Sequence, residues 1–277
     1  MIPVSRPSEA PKVLNRNGNK WLHKLQQALA NLEILKNQPI INPKELAQAE
    51  KEVEKITNKY RHKEIKEDLE KIFNGKCAYC ESKVTTTGYG DIEHFCPKSN
   101  SRCINLTFEW TNLLLSCERC NDAGHKGTKF PLDADDNPLL INPTDKKIDI
   151  NKHLRFSWDL IIGSRVEGID ARGQVVEDIF DFNSQRGTRK ELVNHRNDCV
   201  NDMMALLEIA RQTGNYQAIQ LLLEHCQPSR EYSAFALVHI LPHLAHHFRD
   251  PRAIALLKEV SAPSPAYAVF SRVHQLP

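Results

Sequence analysis

The chain has 277 residues, of which 40% are hydrophobic, and its formal net charge is +2. This length accommodates one large or two modest domains with hydrophobic cores. A charge so close to zero neither requires nor excludes a nucleic-acid partner. No stretch approaches the roughly 20 uninterrupted apolar residues of a membrane span, and the first residues lack the apolar middle of a secretory signal. We therefore expect a cytoplasmic protein with no membrane partner.

The first quarter of the chain has helical periodicity. Residues 17–36 place leucines at helical spacing. Asn42-Pro43 then begins a highly charged helix over residues 44–71 that has only a narrow apolar stripe, and Asn74-Gly75 provides a C-terminal cap. A stripe this narrow suits a helix that packs on one neighbour, so residues 1–75 are predicted to form a helical region that docks a partner protein.

Two Cys-x-x-Cys pairs lie in the middle of the chain. Their cysteines are Cys77, Cys80, Cys117 and Cys120. In a reducing compartment this spacing indicates metal binding rather than disulfides. Four thiolates complete a tetrahedron around Zn²⁺ and leave no position for water, so the zinc is predicted to be structural.

Between and after these pairs, the pattern predicts a small β-rich unit. We expect a hairpin within residues 77–96 that turns at 88–90, and a helix that begins at Asn112. Together they would form a ββα unit wrapped on zinc over residues 76–143. The fold class is therefore α+β, mostly α-helical, with a zinc-stabilised ββα-metal core and flanking N- and C-terminal helices.

The remaining chain alternates between a short β region and helices. Within residues 144–196, a small β/α extension, strand-like alternation covers 153–162 and 174–182, around turns that contain Gly163 and Gly173. A C-terminal helical bundle is predicted over residues 197–277. Its helices, the first of which begins within the extension, are expected at 187–213, 215–226, 230–248 and 250–260. The signals that separate them are Gly214, Pro228 and the Asp250-Pro251 helix start. Cys199 and Cys226 lie in apolar helical patterns and are predicted to be core thiols.

Polar residues between the cysteine pairs suit metal-assisted phosphodiester cleavage. A neutral imidazole at His94 can accept a proton from the attacking water. Glu93 and Asn121 are hard oxygen donors suited to Mg²⁺ or Mn²⁺, and Asn112 would orient the imidazole. We expect the imidazole, the carboxylate and the amide oxygen to face a common point in solvent.

Three nearby residues have competing interpretations. Asp91 is either a carboxylate that supports the metal site or a turn residue, with the turn preferred. Cys96 and Cys103 could compete as metal ligands, but single cysteines lack the chelate geometry of a Cys-x-x-Cys pair. They are therefore predicted to be packing residues.

Four motifs occur in a fixed order along the chain. They are Cys77-x-x-Cys80, Glu93-His94-x-x-Pro97, Asn112-Leu113 and Cys117-x-x-Cys120-Asn121. This order resembles the HNH endonucleases in their four-cysteine form. The resemblance implies that Glu93 and Asn121 hold the catalytic metal and that His94 is the base.

A closer resemblance is to the HNH effectors of Septu-type and retron-associated antiphage systems. It covers residues 1–196, is strongest over 76–143, and includes Glu93-His94-Phe95-x-Pro97-Lys98-Ser99 and Lys126-Gly127. It implies phosphate contacts at Lys98 and Lys126. It also implies an ABC-type ATPase partner, and in retrons a reverse transcriptase with its RNA-DNA product.

The resulting hypothesis is a divalent-metal-dependent HNH endonuclease that acts on DNA or RNA inside a defence complex. A second hypothesis is a zinc-knuckle module that binds nucleic acid or protein without cutting it. The two differ in whether Glu93, His94 and Asn121 are needed for function and in whether Mg²⁺ or Mn²⁺ has any effect.

Overall fold

A computed structural model describes residues 1–84 and 90–261 of the chain. Its N-terminal part consists of helices α1 (Lys12–Lys36), α2 (Pro43–Thr57) and α3 (Lys63–Ile72). Asn42 caps α2 by accepting a hydrogen bond from the backbone N–H of Lys44 at 3.1 Å. Helices α1 and α2 pack against each other, so the charged helix α2 has a neighbour for its narrow apolar stripe, as predicted.

The charged segment predicted as one helix over 44–71 is in fact two. A 3₁₀ turn over Asn58–Arg61 separates α2 from α3, and His62 then caps α3 by accepting from the backbone N–H of Glu64. No glycine or proline marks this break, so the usual sequence signals do not predict it. The predicted C-terminal stop is confirmed, because Asn74 and Gly75 both have positive φ angles just after α3.

The central β-sheet has two strands. Strand β1 (Asp91–His94) pairs antiparallel with β2 (Leu113–Ser116), and Glu93 lies opposite Leu114. The helix predicted to begin at Asn112 is therefore wrong. Leu113, Leu114 and Leu115 are all 0% exposed, and a short apolar run buried on both faces has no periodicity that separates strand from helix.

The predicted hairpin within 77–96 is also wrong in its pairing. The partner of β1 is β2, which lies beyond the loop 95–112, and the first cysteine pair sits instead on a turn closed by a bridge between Lys76 and Lys83. The predicted turn at 88–90 falls mostly on residues 85–89, outside the described part of the chain. A short helix, α4 (Glu118–Asn121), follows β2 and completes a β–β–α order.

The middle region contains a second two-stranded sheet, formed by β3 (Leu154–Asp159) and β4 (Gly163–Gly168). The strand predicted over 174–182 is wrong, because residues 171–180 form helix α5 (Ala171–Phe180). Gly173 misled the prediction. In the structure, Gly173 does not mark a turn but lets the backbone of α5 approach that of His153, because a Cβ at this position would lie 1.8 Å from the carbonyl oxygen of His153.

The C-terminal helices agree well with their predicted positions. They are α6 (Gly187–Thr213), α7 (Tyr216–His225), α8 (Ser233–His239) and α9 (Pro251–Ser261), with a π-helical turn over His243–His247. Gly214, with a φ of 64°, ends α6 as expected. Helix α6 runs without interruption through residue 196, where the sequence placed a boundary between regions.

One hydrophobic cluster extends from Met1 to Ala253 and joins the N-terminal helices, the small sheets and the C-terminal helices. The protein is thus mostly helical with two small antiparallel sheets, an α+β arrangement as predicted. Within residues 1–84 and 90–261, every helix is too short or too polar to span a membrane.

Candidate functional site

The four cysteines of the two Cys-x-x-Cys pairs converge. Their Sγ atoms all lie within 4.8 Å of one another, and those of Cys80 and Cys117 are 3.7 Å apart. The backbone N–H of Ala78 donates to the carbonyl oxygen of Leu115 at 2.8 Å, which ties the first pair to β2. This arrangement supplies the four sulfur donors of a structural zinc site, so the cluster could hold a zinc ion.

The buried side chain of Arg189 in α6 gives independent evidence on whether the four cysteines suit a zinc ion. Its Nη1 donates to the Sγ of Cys120 at 3.6 Å, and its Nε and Nη2 have no hydrogen-bond partner among the described residues. A buried guanidinium beside four neutral thiols would lack a counter-charge. Four thiolates around Zn²⁺ carry a net negative charge, so the residues fit zinc.

The chemistry of the thiols leads to the same conclusion. Burial, and then contact with the other three thiols, raises the pKa of the Cys120 thiol well above its ordinary value. Without a metal ion, a second and third thiolate in so small a volume would repel each other. Zinc binding removes these protons and supplies the missing positive charge.

One side of β1 gathers oxygen donors. Side chains alternate along a strand, so Asp91 and Glu93 share a side. There the Nδ2 of Asn121 in α4 donates to the Oδ2 of Asp91 at 3.2 Å. Burial raises the pKa of Glu93 to about 7, although contact with Lys126 opposes this. The preferred interpretation of Asp91 as a turn residue is wrong, because Asp91 is the first residue of β1.

His94 lies on the opposite side of β1. Its Nε2 is 3.0 Å from the carbonyl oxygen of Thr107, and the ring of Tyr60 meets it edge-on at a centroid distance of 4.5 Å. A carbonyl only accepts hydrogen bonds, so in the neutral ring Nε2 carries the proton and Nδ1 is an acceptor. Burial lowers the pKa of His94 to about 4. The imidazole is therefore neutral near pH 7.

The expectation that three site groups face a common point in solvent is wrong for this structure. Glu93 and His94 are each only 5% exposed, whereas Asn121 is partly exposed. The reason is the strand itself, because neighbouring residues on a strand point to opposite sides. The carboxylate and the imidazole thus face different surroundings.

Asn112 acts on a loop rather than on the imidazole. Its Oδ1 accepts from the backbone N–H of Cys96 at 2.7 Å, and its Nδ2 donates to the carbonyl oxygens of Cys96 at 3.0 Å and Leu106 at 3.1 Å. These bonds hold Cys96 and Leu106 together within the loop 95–112. Since Thr107 directly follows Leu106, Asn112 positions the carbonyl that fixes the His94 ring.

The same loop contains a disulfide that the sequence interpretation missed. Cys96 and Cys103 are joined, with their Cα atoms 5.9 Å apart. The sequence predicts them to be packing residues and does not predict their pairing. Both are indeed buried, but the 3₁₀ helix over Ser101–Leu106 folds back and brings the two sulfurs together.

The two lysines predicted to contact phosphate have different surroundings. Lys98 is partly exposed on the His94 side, where its Nζ lies 4.6 Å from the centre of the Tyr60 ring. Lys126 is 0% exposed, contacts Glu93, and donates from Nζ to the carbonyl oxygen of His94 at 2.9 Å. Its ammonium group faces the protein interior, so this structure leaves Lys126 no surface for a phosphate contact.

Sequence reasoning missed the residues that reach the site from far away. Tyr60 comes from the turn between α2 and α3, and Arg189 is 69 residues from its partner Cys120. No local motif marks either residue. Asp91 did have a signal, because it lies two positions before Glu93 and a strand would place both on one side.

Comparison with known proteins gives two similar sequences. A protein of Bacillus mycoides (strain KBAB4) described as Septu protein PtuB is 37% identical over 123 residues, which are 35% of this chain and 40% of that protein. A Bacillus thuringiensis protein with the same description is 33% identical over 186 residues, or 61% of this chain and 65% of that protein. The chain thus matches less than two thirds of the length of either relative. No family model matches the sequence, and no solved structure gives a significant match.

Proposed function

We propose that this protein is a divalent-metal-dependent endonuclease of the HNH type and the effector of an antiphage defence complex. The similarity to two Septu proteins supports the defence setting. The motifs between the cysteine pairs support hydrolysis of phosphodiester bonds. In this proposal, residues 76–143 form the nuclease core and residues 1–75 dock a partner. The segment 144–196 extends the core towards the helical bundle of 197–277.

The observation that carries the proposal is the arrangement around β1. Oxygen donors from Asp91, Glu93 and Asn121 gather on one side of the strand, directly beside the four-cysteine cluster. The Oε1 of Glu93 is buried and has no hydrogen bond of standard geometry, and its counter-charge is the ammonium group of Lys126. A carboxylate that needs a cation, next to further oxygen donors, fits Mg²⁺ or Mn²⁺. A bound divalent ion would stabilise negative charge on the phosphate and on the leaving oxygen.

The protein's own residues would handle the proton. The carbonyl oxygen of Thr107 accepts a hydrogen bond from the Nε2–H of His94, which leaves Nδ1 free to take a proton from water. Lys98, next to Tyr60, would contact the phosphate. Asn112 would keep the Thr107 carbonyl in place. In the resting arrangement these groups are closed off, because Tyr60 covers His94 and Lys126 occupies the cation position beside Glu93. The imidazole and the oxygen donors also lie on opposite sides of β1, so the proposed reaction requires a rearrangement that brings both of them to the same phosphate.

A closed site fits a gated nuclease. An ungated enzyme of this kind would cut the DNA of its own host. We therefore propose that an ATPase partner of the ABC type moves the N-terminal helices, which carry Tyr60, away from His94. In a retron setting, a reverse transcriptase with its RNA-DNA product would join the complex.

The test is cleavage of DNA and of RNA by the complete complex with Mn²⁺ or with EDTA. The His94→Ala variant should lose cleavage while it still folds and keeps its zinc. His246→Ala is the matched control, because His246 is exposed and should cut normally. Full cleavage by His94→Ala would remove His94 from the reaction. Cleavage of RNA alone would make the protein an RNA-directed effector.

The burial of both Glu93 and His94 favours one alternative, a zinc-knuckle module that binds nucleic acid or protein without cutting it. In that case Mn²⁺ would have no effect on phage protection. The variants Glu93→Gln and His94→Ala would then protect cells as well as the unaltered protein does.

A further inference from the structure

We propose that His195, Cys199 and Glu231 form a second metal site, which binds Zn²⁺ and is separate from the four-cysteine cluster. His195 and Cys199 lie one turn apart on α6, and Glu231 reaches them from the segment before α8. Cys199 was predicted to be a core thiol. It is instead partly exposed and lies beside two other metal-binding side chains.

The distances between the three side chains suit a single ion. The Nε2 of His195 is 3.3 Å from the Oε2 of Glu231 and 3.9 Å from the Sγ of Cys199. Donor atoms around tetrahedral zinc, with bonds of about 2.0 to 2.3 Å, lie roughly 3.3 to 3.6 Å from each other. Small rotations of the side chains are therefore enough to close the site.

Neighbouring residues hold two of the ligands in position. The backbone N–H of Lys83 donates to the Oε1 of Glu231 at 2.6 Å. The ring of Tyr232 packs edge-on against His195 at 5.7 Å, and its hydroxyl group is 2.8 Å from that of Ser82. Supports of this kind are what orient the ligands of metal sites. They also connect the site to the loop that follows Cys80.

The local charge favours a cation. The carboxylates of Glu231, Asp202 and Asp198 lie near enough to the Cys199 thiol to interact with it electrostatically. These carboxylates would attract a positive ion to the partly exposed thiol. A sulfur, an imidazole nitrogen and a carboxylate oxygen together match Zn²⁺ rather than the all-oxygen preference of Mg²⁺. Three protein ligands leave a fourth position open to water.

A metal ion at this site would link α6 to the segment before α8 and, through Lys83, to the loop next to the first cysteine pair. The site is therefore placed to stiffen the contact between the C-terminal helices and the zinc-bound core. This inference does not depend on nuclease activity, because metal content can be measured on the isolated chain.

The test is the zinc content of tag-free, full-length protein that has been equilibrated with excess Zn²⁺ in the presence of a reductant and then freed of unbound metal. We expect two zinc ions per chain in the unaltered protein. Cys199→Ser and His195→Gln should each retain one. Cys226→Ser and His246→Gln are the matched controls, because Cys226 is buried elsewhere in the bundle and His246 is exposed, and both should retain two.

Cobalt provides a second measurement that separates the two sites. Co²⁺ bound through one thiolate gives a weaker sulfur-to-metal absorption than Co²⁺ bound through four. The proposal predicts that Cys199→Ser removes the weaker component and leaves the stronger one intact. One zinc per chain in the unaltered protein, or two in both Cys199→Ser and His195→Gln, would overturn it. Because the side chain of His195 is half exposed, we expect His195→Gln to fold. This variant therefore tests the proposal even if Cys199→Ser is unstable.

Discussion

The ammonium group of Lys126 contacts the carboxylate of Glu93 in the interior of the protein and also donates to the carbonyl oxygen of His94. Burial raises the pKa of Glu93 and lowers that of Lys126, while their attraction for each other opposes both shifts. Each group is therefore the main reason that the other can stay charged.

Replacing Lys126 with Met should destabilise the protein by about 3 to 5 kcal/mol at pH 8, because a buried carboxylate then loses its partner. The double variant Glu93→Gln/Lys126→Met should lose less stability than the sum of the two single variants. Urea denaturation measures both effects. Lys63→Met is the control, since the Lys63–Glu67 pair is exposed on the surface and should contribute little. Additive losses would mean that the two groups do not interact.

His94 should remain neutral at unusually low pH. Its folded-state pKa of about 4 lies below the ordinary value of 6.5, so the unfolded chain binds more protons between these values. The contribution of His94 to stability is then present above about pH 6.5 and is lost as the pH falls towards 4. NMR of the imidazole should show Nε2 protonated and no titration between pH 5.5 and 8. The spectrum of His94→Gln assigns the signal, and a midpoint near pH 6.5 would contradict the prediction.

Arg189 should strengthen zinc binding, because its Nη1 donates to the Sγ of Cys120. Arg189→Met should weaken the affinity of the four-cysteine cluster for zinc by about 10- to 100-fold, the usual effect of losing a residue that supports a metal ligand. Competition with a coloured chelator measures this affinity. Arg186→Met, at an exposed position three residues earlier, should bind zinc normally. Equal affinities for the two variants would mean that the guanidinium does not stabilise the thiolates.

The sequence predicted well what depends on local spacing. The two Cys-x-x-Cys pairs do form one cluster, and Gly214 and the Asp250-Pro251 signal do separate helices of the bundle. For the two helix boundaries, and for the chelate geometry of each single Cys-x-x-Cys pair, the physical cause lies within a few residues of the signal, whereas the meeting of the two pairs joins residues 37 apart. A short chelate loop or a left-handed helix cap can be predicted without information about distant parts of the chain.

Prediction failed where burial or distant contacts decide the structure. Leu113, Leu114 and Leu115 form a strand because both of its faces are covered, which their own sequence does not reveal. Glu93 and His94 are neighbours in sequence and were expected to face a common point in solvent. On a strand, however, the side chains of neighbouring residues point to opposite sides. The enclosure of His94 depends on Tyr60, whose turn between helices lies more than thirty residues earlier.

Asn112 offers a way to disturb His94 without touching it. Its amide makes three hydrogen bonds to the backbone of Cys96 and Leu106. Asn112→Ala leaves these buried groups without partners and should cost about 2 to 4 kcal/mol of stability. The loop would then no longer hold the Thr107 carbonyl, so the imidazole should populate both neutral tautomers in NMR spectra. Asn100→Ala is the control, because the side chain of Asn100 caps the 3₁₀ helix of the same loop by accepting from the backbone N–H of Arg102. A single Nε2-protonated form in Asn112→Ala would show that Thr107 is held in place by other contacts, such as the Cys96–Cys103 disulfide.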